Sequence, residues 1–374
     1  MSADLPLSPA PLSPLSTETA GAPIRLLDGG AEAYPRMLQA IESATRRVHL
    51  EVYTFEREGV GSSFLAALAA AAQRGVEVKV IVDGWGSIGE SSAIQATLRA
   101  AGAKVRVYNP LTSLFTGRAW RNHRKILLVD ERVAFIGGIN IGDDYLGSEA
   151  EPGWADLVLE LSGDICVQLG AKLQAGRVEL ASGPVRVLLS GFGGGRRLRQ
   201  RYLEAIHGAK EQVVLAHAYF LPDRDFMHAL NRAAKRGVSV QLLLAGRSDV
   251  PFARAATMRL YRYFLRGGVH IHEWTASTLH AKAAVVDGRR LLVGSFNLDP
   301  LSLVNLETLV DVEDEAVATQ AVVWLEKHLQ SARPILLEHC QRTGPQAWLL
   351  DILGLAGARL AEMFAGFIGR KRRR

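Results

Sequence analysis

The sequence repeats one pattern of segments in its two halves, and this internal duplication is the feature that most limits the fold. Each half passes through a helical pattern into a β-rich run, at 48–55 in the first half and 213–220 in the second. Each half then has an Ala-rich helical pattern that ends at an Arg-Gly pair and leads into another apolar run, at 74–83 and 236–245. Alternating strands and helices predict α/β lobes, each a mixed central sheet flanked by helices.

The repeat also divides the chain, whose 374 residues suit two domains of ordinary size. An Ala-Ser-Gly-Pro break places the boundary between lobes at 23–180 and 181–335. Residues 1–22 are rich in Pro, Ser and Thr and contain no Lys or Arg. They indicate a disordered leader and not a signal peptide, which needs a basic start and a continuous apolar stretch.

Each half contains the same motif, H-x-K-x4-D, followed by a Gly-containing run that ends in Asn. The motif residues are His123, Lys125 and Asp130 in the first half and His280, Lys282 and Asp287 in the second. The runs that follow end at Asn140 and Asn297, and the second has Ser295 where the first has Gly138. A dense motif that occurs twice, in register within a duplication, is not accidental.

The spacing of the motif separates working residues from supporting ones. Residues two apart on a strand share a face, so His123 and Lys125 point together, as do His280 and Lys282. Asp130 and Asp287 lie an odd number of positions away and would point off that face. We therefore expect one active site at the lobe interface, with the aspartates in supporting roles.

Two His and two Lys in one cleft suit the chemistry of a phosphodiester. One neutral imidazole attacks phosphorus to form a covalent phospho-enzyme, and the other exchanges protons with the leaving and entering oxygens. The lysines, with Asn140, Asn297 and the Ser295 hydroxyl, are candidates to hold the phosphate oxygens. His217 is a candidate either for the cleft wall or for the core. This chemistry requires no metal or other cofactor, and no Cys, His and carboxylate cluster has zinc-like spacing.

Composition limits the partners but does not choose among them. Lys and Arg outnumber Asp and Glu by 44 to 38, a net charge of +6 that suits a phospholipid surface or nucleic acid. The two cysteines, Cys166 and Cys340, are too few for a disulfide framework and are expected to be buried. The sequence contains no uninterrupted apolar run of about 20 residues, so a bilayer-spanning helix is not expected.

The paired motifs resemble those of the phospholipase D superfamily, over roughly residues 23–335. Within it the chain is most similar to bacterial cardiolipin synthases of the B type. That similarity rests on His-Arg-Lys-Ile at 123–126, Phe-Ile-Gly-Gly-Ile-Asn at 135–140 and Gly-Ser-Phe-Asn-Leu-Asp-Pro-Leu-Ser at 294–302. The resemblance implies two phospholipase D-like lobes that share one active site.

The resemblance also implies an acidic residue downstream of each motif that orients its histidine. Asp156 stands where the partner of His123 is expected, and Glu307 occupies the equivalent place for His280. A carboxylate on one ring nitrogen fixes the tautomer of the imidazole, which gives this role a physical basis. By the same resemblance, His123 is the nucleophile, although the near symmetry of the halves leaves the two roles exchangeable.

The C-terminal segment, 336–374, contains a helical stripe of apolar residues interrupted by charges and ends in five basic residues. This pattern predicts an amphipathic helix in the plane of a membrane, attracted by anionic lipid; the alternative is a helix packed on the protein's own core. The apolar loop at 111–120 is a further candidate for lipid contact. The basic patch at 196–201 is expected to be solvated.

The leading hypothesis is transfer of a phosphatidyl group from one phosphatidylglycerol to another, or to another phospholipid, at the cytoplasmic face of the cell membrane. The lipid comes from the resemblance and the C-terminal pattern, since the motifs alone permit any diester. One rival is a hydrolase of the same fold that acts on lipid or nucleic acid, although no nucleic acid partner is expected. The other is a membrane-binding protein with a relict site, which the intact motifs disfavour.

Overall fold

The structure is a computed structural model that describes residues 24–110, 120–148, 151–173, 177–247 and 251–340. Within these ranges the chain forms two mixed sheets flanked by helices, which confirms the predicted fold class. The predicted leader, the loop at 111–119 and the amphipathic stripe and basic end beyond residue 340 lie outside the described residues. None of the described helices has the length and apolar character needed to cross a bilayer.

The first sheet has the strand order β1-β7-β6-β5-β2-β3-β4. Its strands are β1 (Ile24–Asp28), β2 (Arg47–Val52), β3 (Glu77–Asp83), β4 (Lys104–Tyr108), β5 (Ile126–Val129), β6 (Val133–Gly137) and β7 (Leu157–Ser162). The helices of this part of the chain are α1 (Gly29–Glu42), α2 (Val60–Gln73), α3 (Ser91–Ala100) and α4 (Asp164–Lys172). A short 3-10 helix at Asp143–Tyr145 follows β6.

The second sheet has the order β16-β12-β11-β10-β13-β14-β15-β9-β8. Its strands are β8 (Val178–Ser182), β9 (Val185–Leu189), β10 (Gln212–His217), β11 (Ser239–Ala245), β12 (His270–Trp274), β13 (Lys282–Val286), β14 (Arg290–Gly294), β15 (Thr308–Glu313) and β16 (Arg333–Ile335). Its helices are α5 (Gly195–Gly208), α6 (Arg224–Lys235), α7 (Pro251–Met258), α8 (Tyr261–Arg266) and α9 (Glu315–Ser331), and a 3-10 helix follows at Leu337–Cys340.

The two sheets share one topology, as the duplication predicts. In each, three parallel strands, β2-β3-β4 or β10-β11-β12, join an antiparallel half through β5 or β13. The second sheet adds an edge strand at each side, β8 and β16. Since β8 pairs with β9, the boundary that we placed between residues 180 and 181 falls inside a strand of the second sheet.

Two glycines show why the repeated helices end where they do. Gly75 and Gly237 have φ values of 89° and 93°, in the left-handed region that a residue without Cβ adopts at little cost. The amide after each glycine reaches back to a helix carbonyl, from Val76 to Ala71 and from Val238 to Ala233. This C-terminal cap turns the chain directly into β3 and β11.

The antiparallel halves of the two sheets pack against each other and form a core shared by both lobes. Alternate residues of β5, β6 and β7 meet alternate residues of β13, β14 and β15 in one buried apolar cluster. The opposite faces of the same strands pack on the helices of their own lobe. These strands are therefore buried on both faces, as their apolar sequence predicts. Cys166 is buried in the shared core, whereas Cys340 is only partly buried.

The motif aspartates anchor the chain at the end of each motif strand. Asp130 follows β5, and its carboxylate accepts hydrogen bonds from the backbone N–H groups of Thr45, Arg46 and Arg47, at 2.8–2.9 Å. Asp287 follows β13 and accepts from the N–H groups of 210, 211 and 212. Burial alone would raise the pKa of each carboxyl, but these hydrogen bonds hold both pKa values below 3.8. Both residues tie the motif strand to the start of β2 or β10.

We predict that Asp130→Asn lowers the free energy of unfolding at neutral pH by about 1–3 kcal/mol, because charge-assisted hydrogen bonds are lost. Asn tolerates the positive φ of 52° at this position, so the backbone is preserved. When the folded pKa of a carboxyl lies below its unfolded pKa, the ionised group stabilises the fold at pH values above the unfolded pKa. This stabilisation is lost as the pH falls through the folded pKa. The deficit should therefore persist down to about pH 5 and narrow as the pH falls through 3.8.

Denaturant unfolding across this pH range measures the deficit, and Asp287→Asn is the matched variant in the other lobe, with the same expected behaviour. Equal stability of the Asp130→Asn variant and the unmodified protein at neutral pH would contradict the anchoring role.

Candidate active site

The His and Lys of each motif lie at or just before the start of a central strand, where the lobes meet. His123 stands three residues before β5, and His280 two residues before β13. Within each pair the lysine ammonium donates to the carbonyl oxygen of its own histidine. The distance is 2.9 Å for Lys125, and Lys282 makes the equivalent contact with His280. Both lysines are buried, with 4% and 1% of their surface exposed.

Backbone hydrogen bonds between these lead-in segments and the other lobe hold the site together. The His123 N–H donates to the carbonyl of Leu306 at 2.9 Å, and the His280 N–H donates to the carbonyl of Ala155 at 2.8 Å. Each contact is part of a parallel β-bridge, between Asn122 and Leu306 and between Ala155 and Leu279. Each motif is thus in register with the acidic segment of the opposite lobe.

This register determines which carboxylate orients which histidine. Nδ1 of His123 lies 3.0 Å from Oε2 of Glu307, and Nδ1 of His280 lies 2.7 Å from Oδ2 of Asp156. The prediction that each acid serves the histidine of its own lobe was therefore wrong. The reason is that Asp156 and Glu307 immediately follow the residues that bridge across the lobes.

The hydrogen-bond partners also assign the tautomer of His123. Its Nδ1 is within reach of two oxygens, Oε2 of Glu307 and the carbonyl of Ser295 at 3.2 Å. A carbonyl only accepts, so Nδ1 carries the proton and Nε2 keeps its lone pair. Nε2 is therefore the ring nitrogen that is able to act as a nucleophile.

Two histidines and two lysines crowd the site, and the pKa values of His123, Lys125 and His280 are all lowered. Burial, with the charges of Lys125 and Lys282, holds the pKa of His123 well below its ordinary value of 6.5. Burial and the charge of Lys282 lower the pKa of Lys125 to about 7. The same two causes lower the pKa of His280 to about 4, although its bond to Asp156 works in the opposite direction. Both imidazoles are therefore neutral before an anion enters.

The two orienting acids sit in different surroundings. Burial raises the pKa of Glu307 well above 4.5, and its carboxyl accepts a hydrogen bond from the Ser295 hydroxyl. The Ser295 hydroxyl, which the sequence suggests for the phosphate, therefore supports Glu307 in the structure. A Cβ at Gly138 would lie 2.3 Å from Oδ1 of Asp156, so no side chain fits there. The shorter Asp156 fills the space that a serine takes in the second lobe.

The two asparagines also differ. The amide of Asn140 accepts from the Thr54 N–H at 3.1 Å and donates to the Tyr145 hydroxyl at 3.0 Å, so it is engaged by the protein itself. The buried Oδ1 of Asn297 has no hydrogen-bond partner among the described residues. Asn297 is thus the better placed of the two to act on a ligand.

Several residues near the histidines were missed by the sequence analysis. Tyr145 and Trp154 flank His280, with ring centroids 5.5 and 5.6 Å from its own, and the Tyr145 hydroxyl lies 3.3 Å from Nδ1. Tyr53 meets His123 edge-on at 5.0 Å. A signal existed for Tyr53, because it is the last of three polar residues at alternate positions along 48–55.

The other two members of that alternation build a buried polar cluster beneath His123. His49 bonds to Glu51 at 3.1 Å, and Glu51 pairs with Arg124 at 3.7 Å. Burial would raise the pKa of Glu51, but the bond to His49 and the charge of Arg124 lower it to about 2. Arg124 also donates to the carbonyl of Ser190 in the second lobe at 2.7 Å. This cluster links the lobes below the site.

The remaining candidates lie away from the cleft. Asp130 and Asp287 stand beyond the far ends of β5 and β13 and do not contact the histidines. His217 is fully buried and packs on Tyr202, with ring centroids 5.6 Å apart. Burial and the charge of Lys282 lower its pKa to about 3. The sequence left the cleft wall and the core open for His217, and the structure places its side chain in the core.

Comparisons with known proteins identify the family of the chain. The family model described as "Cardiolipin synthase, PLD-like domain" matches residues 37–156 and 202–329, one match for each motif. Cardiolipin synthase B of Shigella flexneri is 37% identical over 318 residues, 79% of this chain and 77% of the relative. Cardiolipin synthase 1 of Staphylococcus epidermidis is 30% identical over 334 residues, 83% and 68% of the two chains.

A solved structure supports the fold independently. The phosphatidylserine synthase of Haemophilus influenzae Rd KW20 superimposes with a TM-score of 0.73 at 16% identity, covering 91% of this chain and 95% of that one. The duplicated sheets and paired motifs define a phospholipase D-type enzyme. Within that class, the chain belongs to the phospholipase D-like cardiolipin synthase family.

The crossed pairing predicts which histidine each acid affects. Glu307→Gln should change the ring-nitrogen NMR signals of His123 and leave those of His280 in place, because the carboxyl contacts only the first ring. Asp156→Asn is the matched variant and should affect His280 alone. Ring-selective ¹⁵N labelling of histidine measures both. The reverse pattern would restore pairing within each lobe.

Proposed function

We propose that the chain joins two phosphatidylglycerols, or phosphatidylglycerol and another phospholipid, through a covalent phosphohistidine on His123. The observation that carries this proposal is the crossed site, in which two neutral imidazoles and two lysines from different lobes converge. Such a constellation supplies a nucleophile, a proton carrier and fixed positive charge for one phosphodiester. The lipid is taken from the cardiolipin synthases that the chain resembles.

In the first step, Nε2 of His123 attacks the phosphorus of the donor phosphatidylglycerol. The new P–N bond replaces the bond from phosphorus to the glycerol headgroup oxygen. His280 donates a proton to that oxygen, and glycerol leaves. His280 is neutral before substrate binds, but the anionic phosphate raises its pKa by favouring the charged imidazolium.

In the second step, a hydroxyl of the acceptor lipid attacks the phosphohistidine. The P–N bond breaks, a new P–O bond forms, and His280 takes the hydroxyl proton. Glycerol and cardiolipin are then the products, and the enzyme returns to its starting state. The same residue thus acts as acid and then as base, which microscopic reversibility requires for two related displacements.

We assign the remaining roles from the hydrogen-bonding groups that line the cleft. Lys125 and Lys282 hold the non-bridging oxygens of the phosphate, and Asn297 contributes its amide. Glu307 orients His123, and Asp156 orients His280. Asn140 acts indirectly, since its amide positions Tyr145 beside His280.

The membrane would be approached from the cytoplasmic side by a peripherally bound protein. Residues 336–374, with their apolar stripe and basic end, would supply an amphipathic contact with anionic lipid. The two lobes, over 23–180 and 181–335, would remain in the aqueous phase with the cleft facing the lipid. This arrangement brings two long-chain substrates to one site without moving either from the bilayer.

Vesicles of phosphatidylglycerol test the product. The purified protein should form cardiolipin and release glycerol, and the activity should survive a chelator, since the mechanism uses only side chains of the chain. His280→Ala and Lys282→Ala should each lower the rate by at least about a hundredfold. Mass spectrometry of the lipids measures the outcome. Phosphatidic acid without cardiolipin would mean a hydrolase, and loss of activity in chelator would contradict the metal-free mechanism.

An activated donor tests the nucleophile. A phosphatidyl ester of p-nitrophenol leaves without a general acid, so His280→Ala should still form the phosphohistidine but resolve it slowly. His123→Ala should form none. Alkaline quenching followed by peptide mass spectrometry locates the modification. Phosphate trapped on His280 in the His123→Ala protein would reverse the assignment of the two histidines.

A further inference from the structure

A third cation stands beside the motif of the first lobe. Arg121 lies two residues before His123 on the same extended segment, so Arg121, His123 and Lys125 share one side of it. Tyr53 contacts all three. Its hydroxyl accepts from Nη1 of Arg121 at 3.0 Å, its ring meets the His123 ring at 5.0 Å, and Nζ of Lys125 lies 5.2 Å from its centroid.

The guanidinium of Arg121 is fixed in position but remains available. It lies 5.8 Å from the ring centre of Tyr53 and 5.9 Å from that of Trp85, and all three side chains are partly exposed. Among the described residues, no carboxylate lies within 4.0 Å of it. Within the part of the chain that the structure describes, two aromatic faces and a single side-chain hydrogen bond hold the guanidinium, and most of its donors are unused.

This cation breaks the symmetry of the site. The duplication aligns Arg121 with Thr278, because each lies two residues before the motif histidine. It aligns Tyr53 with Ala218, because β2 and β10 begin at equivalent residues. The second lobe thus has neither the guanidinium nor the ring that positions it. At these two aligned positions, the positive charge is on the side of His123.

The acceptor lipid carries a second phosphate, which the motif residues do not bind while they hold the reacting phosphate. The phosphorus under attack occupies the cleft between the histidines, where both lysines can reach it. An acceptor phosphatidylglycerol brings a second phosphate, separated from its attacking hydroxyl by the short glycerol bridge. Two residues of extended chain span about 7 Å, a distance that such a bridge can cover.

We infer that Arg121 binds the non-reacting phosphate of the acceptor lipid, an inference that rests on the function proposed above. Arg121 thereby selects anionic phospholipid over water or free alcohols as the acceptor. The planar guanidinium presents a fork of N–H donors that matches two phosphate oxygens. Contact with this phosphate directs the acceptor hydroxyl toward the phosphohistidine on His123. The attack itself proceeds as described, with the proton passing to His280.

Competition between two acceptors tests the inference. Phosphatidylglycerol in mixed micelles is offered with isotopically labelled free glycerol. Glycerol attack on the phospho-enzyme gives labelled phosphatidylglycerol, and lipid attack gives cardiolipin. Both products come from one intermediate, so their ratio reports the acceptor alone and is independent of how much enzyme is active.

Arg121→Gln should lower the ratio of cardiolipin to labelled phosphatidylglycerol by about ten- to a hundredfold, the effect of losing a charged hydrogen-bond partner. Arg121→Lys should retain part of the ratio, because it keeps the charge but not the fork. Arg106→Gln is the matched control, since Arg106 is exposed and lies over the ring of Tyr108 on β4. It should leave the ratio unchanged.

Each other outcome is decisive. An unchanged ratio in Arg121→Gln, whatever its total activity, would overturn the inference, as would an equal fall in Arg106→Gln. Failure of the unmodified protein to make either product would instead contradict the proposed function. Formation of labelled phosphatidylglycerol without any cardiolipin would leave the phosphohistidine chemistry standing and remove the lipid acceptor.

Discussion

The crossed backbone bridges between the lobes are the constraint on which the site depends. The carbonyls of Leu306 and Ala155 receive the N–H groups of His123 and His280. These bonds fix each motif against the acidic segment of the opposite lobe, and the shared apolar core beneath them keeps the lobes from sliding. Neither lobe alone has a complete pair of imidazole and carboxylate. The duplication is therefore a requirement of the chemistry as well as a feature of the fold.

The sequence predicted what depends on local periodicity. The spacing of two between His and Lys placed both on one side of the chain, and the odd spacing moved Asp130 and Asp287 away from the site. The alternating strand and helix patterns likewise predicted the mixed sheets, and the Arg-Gly pairs predicted where the repeated helices end. The pairing of Asp156 and Glu307 did not, because two similar halves make partners within and between lobes equally consistent with the pattern. Only the register of the bridges distinguishes them.

Local chemistry also explains where the two halves differ. Aspartate is shorter than glutamate, and Asp156 lies directly against Gly138. The longer Glu307 extends past Ser295 and accepts a hydrogen bond from its hydroxyl. Asn140 and the Ser295 hydroxyl were predicted to contact phosphate. In the structure Asn140 hydrogen-bonds to Tyr145, and the Ser295 hydroxyl to Glu307. Buried polar side chains are engaged in this way unless a ligand needs them.

The electrostatics of the cleft show how one site can use the same imidazole as an acid and a base. Lys282 lowers the pKa of His280, and both lysines lower that of His123, so the site holds excess positive charge around two neutral rings. An anionic phosphate offsets that charge and makes the protonated imidazole more favourable. Asp156 adds to the effect at His280, because its hydrogen bond raises the pKa of that ring. In the proposed mechanism, substrate binding would therefore convert His280 into a proton donor, while the tautomer of His123 would keep Nε2 free to attack.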